Sequence, residues 1–164
     1  MSSSSPAGSH TSTSLHESSQ HKKDIFEIWR AHKPPYMATV SSHDPVDMAE
    51  KVHRALGIKG PKLFLSLAVC PTGWGFDHGL GDEIAKRAIE SGVWPLKEAV
   101  RGEVRHTYMP NKFHPVAEYL EPQRRFRRLF KPERNDAALA QIQSNVDAYW
   151  KDIDPNVEKH KVLN

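Results

Sequence analysis

Apolar residues are spread very unevenly along the chain. Positions 1–20 are almost without them, whereas Leu63–Val69 is nearly continuous in them. From His21 the texture changes. KKDIFEIWRAHK places Ile25, Phe26, Ile28 and Trp29 on a helical period, and Pro34-Pro35 stops it. Tyr36–Val40 then reads as a short strand. Ser42 or Asp44 caps a second helix, PVDMAEKVHRALG, in which Val46, Ala49, Val52 and Leu56 form one stripe and Gly57 supplies the stop. After Gly60-Pro61 the run KLFLSLAV is apolar on both faces, as in a strand buried inside a parallel sheet. The loop CPTGWGF follows. A third helix is predicted from about Asp77 to Ser91, with Leu80, Ile84, Ala88 and Ile89 inward. Trp94–Val100 and Glu103–Tyr108 read as two strands joined by a tight turn at Arg101-Gly102.

This order of elements predicts an α/β fold: an open, mostly parallel sheet with flanking helices and right-handed crossovers. Beyond Met109 the sheet pattern stops. Pro110–Lys131 is basic and broken by prolines, and about Pro132–Ile153 is a polar amphipathic helix. That last part is predicted to lack a core of its own and to form an arm against a neighbouring subunit or a missing half of its domain. Three segments result: a Ser-rich stretch at 1–20, an α/β half-domain at 21–109, and a basic, helical arm at 110–164.

Composition narrows the function classes. A net charge of +3 is too slight to argue for a nucleic-acid partner. No stretch approaches the length of a membrane span, and no basic-then-apolar secretory pattern opens the sequence. A cytoplasmic location without a membrane partner is the expectation. The single cysteine excludes an internal disulfide and any zinc or iron–sulfur site built wholly from this chain's thiolates.

Candidate chemistry concentrates after the most apolar strand, because ligands of open α/β sheets bind beyond the carboxyl ends of the strands. In Cys70-Pro71-Thr72-Gly73-Trp74 the proline and glycine shape a tight loop, Thr72 offers a hydroxyl, and Trp74 offers a flat wall. Cys70 reads either as a small buried hydrophobe or as a thiolate nucleophile or metal ligand. His43, His78 and His106 are scattered and lack a diagnostic spacing to it. The run Arg124, Arg125, Arg127, Arg128 and Lys131, interleaved with Phe126 and Phe130, reads as a solvated or inter-subunit face paired with carboxylates. A docking patch for an acidic carrier or for coenzyme A phosphates is the sharper reading.

GIKGPKLFLSLAVCPTGWGF and EIAKRAIESGVWPLKEA resemble the β subunit of the 2-oxoacid:ferredoxin oxidoreductases, most closely the pyruvate enzymes. AHKPPYMATVS and PVAEYLEPQRRFRRL are similar to further segments of that subunit, and SSSSPAGSHTST to the loop after its thiamine-binding motif. The resemblance implies the C-terminal half of a thiamine diphosphate-binding fold. It implies a subunit of an enzyme that oxidatively decarboxylates a 2-oxoacid to acyl-coenzyme A and passes electrons through a [4Fe–4S] cluster to ferredoxin or flavodoxin. Cys70 takes the place of the fourth cluster ligand, with Thr72 and Trp74 in the cluster's surroundings. Ser3, Ser4 and Ser5 border the thiamine pocket. The family's CxxC ligands and its GDG…N motif for Mg²⁺ and the diphosphate are absent from this sequence. The other three thiolates and the main cofactor site are therefore expected from a missing N-terminal β half. The alternative is an interaction or structural subunit that keeps the fold without the cofactors.

Overall fold

The computed structural model describes residues 8–9 and 23–154. Ser3, Ser4 and Ser5, with nearly all of the predicted 1–20 loop, lie outside the described residues. The chain divides into two compact units: a sheet unit of Asp24–Val69 and Trp94–Met109, and a helical unit containing Cys70–Val93 and the described part of Pro110–Asn164.

In the sheet unit, Asp24 caps helix α1 (Ile25–Arg30) by accepting the Glu27 amide at 3.0 Å. Asp44 caps α2 (Pro45–Leu56), where Pro45 opens the first turn and Gly57 follows the last. Strands β1 (Tyr36–Ser41), β2 (Lys62–Leu67), β3 (Lys97–Val100) and β4 (Glu103–His106) form one open sheet in the order β2-β1-β3-β4. β1 and β2 are parallel over their full lengths, while β3 and β4 add antiparallel across the turn at Arg101-Gly102. The architecture is α/β with helices flanking an open sheet, as predicted.

Successive β1 residues point to opposite faces, and each face has its own cover. Tyr36, Ala38 and Val40 pack with Ala55 of α2, whereas Met37 packs with Phe26 of α1 and Ala99 of β3. Two expectations fail here. The stripe Val46, Ala49, Val52 and Leu56 does not face the sheet: it is exposed, and Lys51 and Ala55 are the α2 residues that bury. β2 is not a doubly covered strand either, because among the described residues it pairs on one side only and buries Leu67 alone. On α2, Lys51 and Arg54 bond toward the sheet and turn the stripe outward, and β2 takes an outer position in the sheet of the described residues.

Polar side chains lock this unit. Glu98, fully buried on β3, accepts from the Tyr36 hydroxyl at 2.7 Å, from Arg54 on α2 at 2.5 Å and from Arg105 on β4 at 2.5 Å. Lys51 is equally buried and donates to the Thr39 carbonyl at 2.8 Å and to Asp47 at 2.5 Å. Burial holds its ammonium below the usual lysine range, against the opposing pull of Asp47.

His106 lies half-buried at the end of β4. Burial first, then the charges of Lys97 and Lys51, push it down to about 4. The unfolded chain takes up a proton near the ordinary histidine value of ~6.5, while the folded chain does not, so stability rises with pH across that window. Stability should therefore fall by about 1–2 kcal/mol as the pH drops from 6.5 to 4, after discounting for the ring's partial exposure. His106→Gln should flatten that part of the profile, and an unchanged slope would remove the assignment.

In the helical unit, helix α3 (Pro71–Trp74) is a single turn inside the predicted loop. The predicted third helix is divided into a 3₁₀ turn at His78–Leu80 and helix α4 (Gly81–Glu90). α4 buries Ile84, Ala85, Ala88 and Ile89, while Leu80 remains largely exposed. Helix α5 (Val116–Leu120), a 3₁₀ segment at Arg124–Leu129 and helix α6 (Asp136–Ile153) complete it. The residues after Met109 are helical as predicted, but they do not lack a core. Phe113, Val116, Tyr119, Leu120, Phe126, Leu129, Leu139 and Trp150 are all buried. The Trp150 indole donates to the Gly92 carbonyl at 2.9 Å and meets Phe113 edge-on at 5.1 Å. Gly92 has φ +76°, and a Cβ there would overlap both rings.

Candidate functional site

The turn at Cys70 begins three residues after β2 ends. Extended backbone at Cys70 gives way at Pro71, whose fixed φ suits the first helical position, to one turn closed by Gly75 at φ +73°. Cys70 is the N-cap of that turn, and its Sγ accepts the Gly73 amide at 3.2 Å. The thiol is exposed. Among the described residues, therefore, Cys70 is not buried at the strand end.

Thr72 is exposed beside it, and Trp74 is partly buried. Trp74 lies under the guanidinium of Arg125, which sits 3.8 Å from the ring centroid and 4.7 Å from that of Phe126. Arg125 also donates to Gln123 at 2.8 Å and to the Tyr119 hydroxyl at 3.3 Å. Burial draws its guanidinium below the ordinary arginine value, with Tyr119 opposing. The next residue back is fastened as well, since the Arg124 amide donates to the Gly75 carbonyl at 3.0 Å. At Gly75 a Cβ would lie 2.8 Å from that of Arg124, so only glycine admits the approach.

The basic run therefore divides by role. Arg125 packs against aromatic faces rather than a carboxylate, a correction to the predicted solvated face. Its planar cation lies against both rings, an attraction that offsets part of its burial cost. Arg124, Arg127, Arg128 and Lys131 stay exposed. Gly75, Glu121, Pro122, Arg124, Arg127, Phe130 and Lys131 line a shallow cleft of about 230 Å³ next to the Cys70 turn. Sequence reasoning placed Cys70, Thr72 and Trp74 correctly in one turn but missed Arg125 as the residue that supports it. The only local signal was alternation of arginine and phenylalanine, and the contact spans about fifty residues.

His43 and His106 belong to the sheet unit, whereas Cys70 and His78 belong to the helical unit. Among the described residues no group of three or more His, Cys, Asp or Glu side chains is placed to hold a metal ion.

No protein-family model matches the chain. Individual relatives do. The chain is 41% identical over 147 residues, 90% of its length, to the pyruvate synthase subunit PorB of Methanocaldococcus jannaschii, of which it spans 46%. It is 37% identical over 153 residues to the subunit of the same name from Thermotoga maritima, covering 90% of this chain and 47% of the relative. A ketoisovalerate oxidoreductase subunit VorB from Pyrococcus furiosus is 36% identical over 117 residues. The chain belongs to the PorB-type β subunits of the 2-oxoacid oxidoreductases. It spans about half the length of the curated relatives it matches. Within this PorB-type half, the motif segments CPTGW and PQRRFRRL are in direct contact through Trp74 and Arg125. The helices of the described residues are none of them long and apolar enough to cross a membrane.

Proposed function

We propose that this chain is part of the β subunit of a thiamine diphosphate-dependent pyruvate:ferredoxin oxidoreductase and that Cys70 is one of four thiolate ligands of its [4Fe–4S] cluster. The observation that carries this is the exposed Cys70 thiol, fixed on a glycine-closed turn, in a chain similar to pyruvate synthase subunits. The donor set fits in part. A single soft thiolate suits one corner of an iron–sulfur cluster, but three more must come from polypeptide beyond this sequence, which has no other cysteine. Thiamine diphosphate and Mg²⁺ have no motif here and belong with the missing N-terminal half. Ser3, Ser4 and Ser5 are proposed only as its border.

When bound, thiamine diphosphate supplies the carbanion chemistry and the cluster supplies single-electron transfer. This chain's residues hold and screen. The Gly73 amide directs a hydrogen bond at the Cys70 sulfur, and such a donor would stabilise negative charge on a cluster-bound thiolate and so favour the reduced form of the cluster. Pro71 and Gly75 fix the turn, and Trp74 backed by Arg125 forms a rigid wall that limits water beside it. Coenzyme A and ferredoxin or flavodoxin are the proposed further partners, with the other subunits of the complex.

Iron content and visible absorbance, measured anaerobically on the chain alone and after co-expression with the complementary half, test the reading. Broad absorbance near ~400 nm, the region expected of iron bound by thiolates, should appear only in the pair. A pair that is folded, associated and colourless would set the reading aside.

A further inference from the structure

The two edges of the sheet differ in kind. β4 is short, carries Glu103, Arg105 and His106 among its four residues, and so resists pairing with another strand. β2 is longer, and after Lys62 it reads Leu63, Phe64, Leu65, Ser66 and Leu67. Beyond Lys62 no charged residue guards it. Its outer edge is unpaired among the described residues, although parallel strands are ordinarily covered on both faces and flanked on both sides. Phe64 touches the ring of Tyr36 at 5.7 Å yet stays 36% exposed.

The helix that packs on β1 is turned to match. Arg54 reaches across α2 to Glu98 on β3, which lies on one side of β1. Leu56 follows two positions later, roughly 200° around the helix, and Val52 stands one turn before it. Those two side chains therefore point away from β3, over the β2 side. Leu56 is 77% exposed and Val52 44%. A leucine this open, with a partly exposed phenylalanine on β2, leaves apolar surface that a further layer could cover.

We infer that the β2 edge and the Val52–Leu56 side of α2 dock the half of the β subunit that this chain does not span. The docked half adds a strand beside β2 and covers Phe64 and Leu56. This rests on the proposal that the chain is part of a PorB-like β subunit, and the length argues for that occupant over a second copy. The chain spans 46% of one relative and 47% of another, so a portion of similar size remains to be placed.

The test is affinity capture of the chain by the co-expressed complementary half-subunit from the same genome. Val52→Asp with Leu56→Asp should weaken capture by roughly 100-fold, since carboxylates would be buried without partners. Both positions are exposed, so the variant's circular dichroism and denaturation midpoint should match those of the parent. Val104→Asp on the opposite edge should leave capture unchanged. In the parent pair, amide exchange along β2 should slow by about tenfold or more on association. The inference is overturned by parental capture of the double variant, by no capture of the parent chain, or by unaltered β2 exchange in the pair. A homodimer of the chain alone that the double variant splits would overturn it in favour of a second copy. Capture lost in the double variant from a pair that carries no cluster would uphold the docking surface while rejecting Cys70 as a ligand.

Discussion

Cys70→Ser in the assembled subunit should abolish incorporation of the cluster to which it is proposed to contribute, while leaving the fold intact. Iron per complex should fall by about one cluster's content, and electron transfer to a ferredoxin-type acceptor should drop by roughly 100-fold or more, because an alkoxide is a poor substitute for a soft thiolate. The fold should be indifferent. The Cys70 side chain is exposed and accepts a hydrogen bond from Gly73, a bond that serine can also accept as an N-cap. The denaturation midpoint of the isolated chain should therefore move by less than about 0.5 kcal/mol. Cys70→Ala, which loses the cap, should cost about 1 kcal/mol and have the same effect on iron. A serine variant that retains full iron and full turnover would show that Cys70 is not a ligand.

Much of this site was legible because its information is local. Proline after cysteine and glycine two residues beyond are written in five consecutive positions, and the structure turns where they stand. The capping of α2 by Asp44 and the turn at Arg101-Gly102 were legible for the same reason. What failed was the reading of cover on α2 and β2, whereas on α4 Ile84, Ala88 and Ile89 do face inward. The apolar run of β2 speaks of a buried strand, yet burial belongs to neighbours and not to the strand itself. On α2 the apolar stripe suggested the inward face, but the charged network drew Lys51 and Arg54 toward the sheet and rolled that stripe outward. Arg125 on Trp74 and Trp150 on Gly92 are each about fifty residues or more apart, and nothing in the local pattern of either partner announces the other.

The same network yields the second large effect. Glu98→Ala should destabilise the sheet unit by about 2–4 kcal/mol. The buried Tyr36 hydroxyl loses its acceptor, at about 1–3 kcal/mol, and two cations lose their counter-charge. Breaking a fully buried pair costs about 3–5 kcal/mol, but Arg54 and Arg105 are 37% and 59% exposed and can turn to water, which lowers the sum. Glu98→Gln keeps the acceptor for Tyr36 and should cost about 1–2 kcal/mol. pH separates the two variants from the parent. Burial pushes the Glu98 carboxyl up, but hydrogen bonds from Tyr36, Arg54 and Arg105 outweigh it and hold the group below the usual carboxylate range. Its contribution is therefore present above about pH 4.5 and is lost as the pH falls through the depressed folded value. The parent should show that acid limb, and Glu98→Gln should lack it. Because Arg54 is what turns Val52 and Leu56 away from β3, the alanine variant should also loosen α2 on its strand. Its amides should exchange faster than those of β1 under conditions where the sheet remains folded. If α2 and β1 lose protection together, the network stabilises the unit as a whole and does not set the rotation of the helix.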